Sequence, residues 1–333
     1  MSTDLNKLLV MATPNDKADE IIKNVSWFDP IDQECVMVSL RNLTAFRMSQ
    51  DTRQELQRMA AKFKHQHDQY TALLQKYHTK HIPGGRYYTT QGSMQLCPKK
   101  LRPYLSKQRL IELDGNNMGI QILAFVANVL DVPNAVVDAY LEDRDPFIAT
   151  DLPHNCSKEQ AKKLPLIIIN GGSIKTWELE NGITGAISFN LRRLCKVLEK
   201  MSQQVADRMF PHLKNHDNPD VALYINEMDE NTNKKGKIIS FILHNIETKI
   251  MGELVKYLQR SKIIKGRIMS LIHDAIIFPS NGNYNEEDAG TLLKIFVQHL
   301  AQKYQMPLLE NLKFSFCELE KESSNEIAFS DIS

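Results

Sequence analysis

Ser270-Leu271-Ile272-His273-Asp274-Ala275-Ile276-Ile277-Phe278-Pro279 is the stretch on which the reading of this chain turns. Apolar, partly β-branched runs flank a His-Asp pair, which predicts a strand–turn–strand hairpin with a carboxylate at its tip. A carboxylate held there by two buried strands is costly unless a cation accompanies it. Taken alone, such a pair also fits a satisfied structural residue. A second carboxylate sharpens the reading. Asp114 follows the strand-like run Arg109-Leu110-Ile111-Glu112-Leu113. Two such aspartates, far apart in sequence, suit a pair of divalent cations, the arrangement for phosphoryl or nucleotidyl transfer.

The bulk properties allow this and exclude little. A chain of 333 residues can bury a large core in two or three subdomains. With 42% hydrophobic and 24% charged residues the composition is that of an ordinary soluble globular protein. The net charge of +1 means that any basic footprint for nucleic acid is local. Cys35, Cys97, Cys156, Cys195 and Cys317 are scattered without a C-x-x-C pair, which favours reduced thiols over disulfides or a zinc site. No apolar run reaches the roughly 20 residues that span a bilayer, and Met1-Ser2-Thr3-Asp4 lacks the features of a signal peptide. A cytoplasmic setting is expected, in a bacterium or a virus-infected cell, with an organelle left open, and no membrane partner.

Residues 1–50 resist assignment. From Thr52 to about Lys80, Leu56, Met59, Phe63, Tyr70, Leu73, Leu74 and Tyr77 recur at helical spacing, which predicts one long amphipathic helix or a helical pair. Arg53, Arg58, Lys62, Lys64, His65 and His67 form its other face, either solvated or laid against a phosphate backbone. Pro83-Gly84-Gly85 ends it, and 86–114 reads as β-rich and turn-rich. Helices are expected within Gly119–Tyr140, Cys156–Ile169 (with Pro165 a threat to its continuity), Leu191–Met209, Ile238–Gln259 and Ala289–Tyr304. His212–Lys237 reads as a surface excursion, Asn283–Asp288 as an acidic turn, Leu312–Cys317 as a strand and the tail from 321 as disordered. The order suggests α+β with a split, palm-like sheet.

Four signals stand in order: Gly85-Arg86-Tyr87-Tyr88-Thr89-Thr90-Gln91-Gly92-Ser93-Met94-Gln95-Leu96-Cys97-Pro98; Leu113-Asp114-Gly115-Asn116-Asn117-Met118-Gly119-Ile120-Gln121; Lys162 followed eight residues on by Asn170-Gly171; and His273-Asp274. Each is weak to moderate alone. Together they resemble the polymerase domain of family A DNA polymerases and of the related single-subunit phage and mitochondrial RNA polymerases, from about Gly84 to Cys317. The resemblance implies a right-hand fold with an antiparallel palm sheet: 1–83 thumb-like and helical, 84–150 the first part of the palm, 151–237 fingers, 238–320 the second part of the palm.

It further implies that Asp114 and Asp274, with the backbone carbonyl of Gly115, hold two Mg²⁺ (or Mn²⁺) ions. Lys162 on the fingers helix would meet the incoming nucleotide's phosphates and protonate pyrophosphate. Lys163 is one place off the spacing, and Lys158 stands where the family has a phosphate-binding Arg; a solvated helix start is the plain alternative. Arg86 and Gln95 would contact the primer–template minor groove, where A·T and G·C pairs present similar acceptors. His244 or Asn245 would read the template, and His273 would contact the nucleic acid. The partners implied are a primer–template, dNTPs or NTPs, and a partner subunit if template capture needs one.

Several positions depart from the family. Ala275 replaces the acid that many DNA polymerases carry after His-Asp. Asn170 replaces the aromatic that guards the sugar, and Gly119 stands where DNA polymerases have a bulky Glu, with Tyr87, Tyr88 or Gln121 as other gates. The second signal is nearer the RNA polymerases, whereas the short spacing from Arg86 to Asp114 is that of the DNA polymerases. The leading expectation is a compact, exonuclease-free DNA polymerase of a mobile or viral replicon that tolerates ribonucleotides. An RNA polymerase or primer-making subunit comes second and an inactive, nucleic-acid-binding subunit third. A metal phosphohydrolase lacks a supporting His cluster.

Overall fold

The computed structural model describes residues 3–14, 22, 27–41, 49–66, 72–79, 85–149, 152–153, 155–184, 187–228, 233–264, 267–280 and 286–319. In chain order come α1 (Thr3–Ala12), β1 (Trp27–Asp29), α2 (Gln33–Arg41), α3 (Gln50–His65), β2 (Leu73–Gln75), β3 (Tyr77–Thr79) and β4 (Tyr87–Thr89). The 3-10 turns Met94–Leu96 and Lys99–Leu105 lead to β5 (Leu110–Gly115). A helical stretch follows: α4 (Met118–Val129), α5 (Ala135–Glu142), α6 (Asp145–Ile148), α7 (Lys158–Ile169), α8 (Ile174–Glu180), α9 (Phe189–Lys214), α10 (Pro219–Asn226) and α11 (Lys234–Arg260). The chain then forms β6 (Ser270–Ile272), β7 (Ala275–Pro279), α12 (Glu286–Tyr304), the 3-10 turn Pro307–Asn311 and β8 (Phe314–Leu319). The fold is mixed α+β with small antiparallel sheets.

The four-stranded sheet has the order β6-β7-β5-β8, every pair antiparallel. Its two faces separate two cores. Ile111 and Leu113 of β5, Ile276 and Phe278 of β7, and Phe314 and Phe316 of β8 pack with α4, α9 and α11 in the larger core. Leu110, Ala275, Ile277 and Leu319 face the smaller one, with Leu56, Met59, Phe63 and the 3-10 turns. Strand alternation thereby puts Glu112 and Asp114 on the smaller-core face. Helix α4 is apolar and mostly buried, as a helix through a large core must be.

The expected hairpin forms across Ser270–Pro279, and so do the helices expected in the second half of the chain. Ser157 and Gln160 make a reciprocal capping box at the start of α7. That helix runs unbroken through Pro165. The long helix expected to about Lys80 is a correction: α3 stops at His65. The Gln66 amide then donates to the Ala72 carbonyl (2.8 Å) and accepts from the Leu74 N–H (3.0 Å), turning the chain into β2 and β3. Arg58 and Lys62 also leave the basic face, Arg58 pairing with Glu55 and Lys62 reaching Gln75 and Thr90. The excursion at 212–237 contains α10, whose Val221 and Ile225 are buried. The terminal strand is Phe314–Leu319, two residues later than expected. Pro83, Gly84, residues 283–285 of the expected acidic turn, and the tail lie outside the described residues, while residues 286–288 begin α12 rather than a turn. No helix among the described residues is long and apolar enough to cross a membrane.

The N-terminal segment is woven into the rest. Helix α1 packs on α11 and α4. The buried Lys249 amine of α11 donates to the carbonyls of Val10 and Thr13 at the C-terminal end of α1. Strand β1 pairs with β2, and its Phe28 N–H donates to the Arg267 carbonyl (2.9 Å).

Candidate active site

Asp114 and Asp274 come together through the β5–β7 ladder. Asp114 pairs with Ala275, the residue after Asp274, and the Gly115 N–H donates to the Asp274 carbonyl at 2.9 Å. The turn between β6 and β7 is His273-Asp274. His273 has φ 54°, the positive φ that two-residue hairpin loops require at their first position. Burial pushes the Asp114 carboxyl up to about 7, helped by the charges of Asp274 and Glu112, and burial also raises Asp274. The pair is therefore crowded with negative charge. Among the described residues no group of three or more His, Cys, Asp or Glu side chains forms a metal cluster.

Arg86 stands beside this pair, gripped by Glu247 of α11. Its Nε and Nη2 donate to the two carboxylate oxygens, both at 2.7 Å. Glu247 is 1% exposed, and burial pushes its carboxyl up to about 7 against the pull of Arg86. The same helix holds Gly85, whose N–H donates to Asn245 Oδ1 (3.4 Å) and whose carbonyl accepts from Thr248 Oγ1 (2.7 Å). Asn245 also donates to the Phe241 carbonyl, so its amide is engaged inside the fold. His244 instead lines an open cleft of about 620 Å³ with Asn170, Tyr224, Met228, Lys237 and Ser240. Burial, with the positive charges of Arg86 and His273, lowers its imidazole to about 4. His273 makes an edge contact with the Tyr88 ring, centroids 5.8 Å apart.

Gln95 is buried and braces the sheet. It accepts from the Thr89 N–H (2.9 Å) and donates to the carbonyls of Tyr87 (3.0 Å) and Leu271 (2.9 Å), tying β4 to β6. Gln121 is similarly engaged, bonding Asn116 and both backbone groups of Lys313.

The fingers-helix candidates gather on α7. Lys158 pairs with Asp145 (2.8 Å), Lys162 with Glu159 (2.5 Å), and Lys163 is exposed. At the other end, Asn170 caps its own helix by donating to the Leu166 carbonyl (2.8 Å), and its Oδ1 accepts from Ser240 Oγ (2.5 Å). Gly171, at φ 81°, leaves room for the Asn233 side chain, which donates to the Asn170 carbonyl (2.7 Å). Gly119 faces the same helix: a Cβ there would lie 3.5 Å from Leu166 and 3.7 Å from Ile169, ordinary contact distances.

Sequence reasoning missed Glu247, Glu112, Lys99 and Arg102. The last three meet on the sheet face of Asp114, where Glu112 is paired with Lys99 and lies 3.6 Å from Arg102. The alternation of Glu112 with Asp114 was a usable signal for that residue. Nothing local marks Glu247, whose partner is far away in the chain.

No family model matches this chain, and no curated protein matches it in sequence. Among solved structures it is similar to the "POL domain of Pol1 from M. smegmatis complex with DNA primer-template and dNTP". The TM-score is 0.50 at 12% identity, covering 86% of this chain. The match spans 55% of that polymerase chain, and at this identity it speaks for the fold alone.

Proposed function

We propose that this chain catalyses template-directed nucleotidyl transfer, as a family A-like DNA polymerase. The observation that carries the reading is the ladder that sets Asp114 beside Asp274, with Arg86 adjacent and α7 reaching Gly119. The donors suit magnesium. Asp114 and Asp274, with the Gly115 carbonyl, would hold the metal through hard oxygen donors, the ligand type that magnesium prefers. Bound there, the two ions would activate the primer 3′-hydroxyl and take up charge on the triphosphate.

The chain's own residues supply the rest. Arg86, its fork held by Glu247, aims its remaining donors and its charge at the primer terminus beside Asp274, and His273 flanks it. Gln95 acts by bracing β4 rather than by reading a groove. Lys162 and Lys158 exchange weak exposed ion pairs for the nucleotide's phosphates, with the exposed Lys163 beside them, and His244 takes the template-facing role in place of Asn245. Residues 84–150 and 238–320 form the palm, 151–237 the fingers and 1–83 a flanking, thumb-like region. Synthesis is without proofreading by this chain.

RNA synthesis is the second reading, favoured by the open Gly119 position. The deciding experiment is primer extension on DNA and RNA templates, with dNTPs and NTPs supplied separately. Extension with dNTPs on DNA supports the first reading, and extension with NTPs alone supports the second. No extension under any combination removes both. A mismatched primer incubated with enzyme and Mg²⁺ but no nucleotide should keep its length.

A further inference from the structure

The sheet face of Asp114 carries a third carboxylate that the polymerase resemblance does not assign. Glu112 lies two residues back on β5, opposite Ile277 and Cys317 in the two ladders, and is 3% exposed. It has two cationic neighbours. Arg102 is mostly buried and anchored by an Nε bond to the Cys97 carbonyl (3.2 Å), so it is a fixed counter-charge. Lys99, paired with the same carboxylate, has a side chain 59% exposed. Glu112 and Asp114 stand two residues apart on one face of β5, so the ammonium that Glu112 holds lies on the sheet face that carries Asp114. Glu112 is thus served by one largely buried cation and one exposed cation, on the sheet face that carries Asp114.

We propose that Lys99, aimed by Glu112, is a resident counter-ion of the Asp114–Asp274 pair that an incoming divalent cation displaces, so that Lys99 sets the site's metal affinity. The inference rests on the metal-binding reading of those aspartates. Without a metal, the ammonium screens two carboxylates that repel each other. A divalent cation does the same more strongly, and the exposed lysine swings toward solvent or a phosphate. Removing the lysine leaves the site more negative and should tighten metal binding. Removing the Glu112 charge subtracts attraction and frees Lys99 to lean on the aspartates, so binding should weaken.

The test is Mn²⁺ binding to the full chain without nucleotide, followed by the electron paramagnetic resonance signal of free Mn²⁺. Lys99→Met should bind about tenfold tighter than wild type, the effect of removing one half-exposed positive charge from the same sheet face. Lys99→Arg should match wild type, Glu112→Gln should bind several-fold more weakly, and Asp114→Asn should lose the site. Glu112→Gln strips a buried partner from Arg102 and can unfold the sheet, so the deciding variant is the one at the exposed Lys99. Affinity of Lys99→Met within twofold of wild type, with Asp114→Asn still abolishing binding, overturns the inference alone. A wild type that binds no Mn²⁺, or binding indifferent to Asp114→Asn, overturns the metal reading and the inference with it.

Discussion

At the residue scale, the proposed function gives two positions a part in sugar choice. Gly119 has no side chain to crowd a ribose 2′-hydroxyl, and the Asn170 amide is occupied by Leu166 and Ser240. On the proposed reading, with neither a clash nor a dedicated hydrogen bond, the sugar gate is open. Wild type should prefer a dNTP over its matching NTP by less than about 100-fold in kcat/KM. Gly119→Glu should raise that preference, and a wild-type preference above roughly 10⁴ would place the gate elsewhere. Asp29 tests the physical account independently of activity. It is fully buried, its Oδ2 accepts from the Met94 N–H (2.8 Å), and burial pushes its carboxyl up to about 6. The unfolded chain releases this proton near pH 4 while the folded chain keeps it to about pH 6. The stability it contributes is therefore full below pH 4 and lost as pH rises through 6. Asp29→Asn keeps an acceptor for Met94 and should remove that slope. The difference in unfolding free energy between wild type and variant should change by roughly 3 kcal/mol from pH 4 to pH 7 in urea titrations. A pH-independent difference would mean that Asp29 keeps an ordinary carboxyl. The aspartate pair is legible in the sequence because each member ends or tips an apolar run. Glu247 is not, because its meaning lies in Arg86, which no local pattern links to it.

At the scale of elements, the junction between α7 and α11 carries the fingers reading. Asn233 fills a notch walled by Gly171 and Gly236 and bonds both helix ends. Gly171→Ala would place a methyl group inside that side chain at φ 81°. The variant should lose at least about 1–2 kcal/mol of stability from the left-handed backbone alone. An unchanged melting temperature would show that the junction yields easily. At the opposite end of α7, Lys162→Ala should slow nucleotide addition roughly 10²–10⁴-fold, as expected for a phosphate clamp and proton donor. Lys163→Ala should do much less. Reversed effects in single-turnover extension would shift the helix register by one residue. The capping box and the apolar run make α7 readable in the sequence. The segment after α3 misleads because Leu73 and Tyr77 satisfy helical spacing as well as strand alternation, and the Gln66 amide decides between them.

Across the whole molecule, the central sheet is assembled from strands contributed by both ends of the chain, with the helical stretch α4–α11 between them. That split is legible from the order of apolar runs, but the interweaving of residues 1–79 is not. The contacts of α1 with Lys249, and of β1 with Arg267, are long-range and leave no periodicity in sequence. The central claim is that this assembly exists to bring Asp114 and Asp274 together for nucleotidyl transfer. Primer extension by Asp114→Ala and Asp274→Ala, measured beside primer–template binding, tests it most directly. Wild type should extend in Mg²⁺, and each variant should lose at least about 10³-fold in rate. Binding should stay within a few-fold of wild type, because phosphate contacts elsewhere dominate affinity. Extension near the wild-type rate in either variant would contradict the claim.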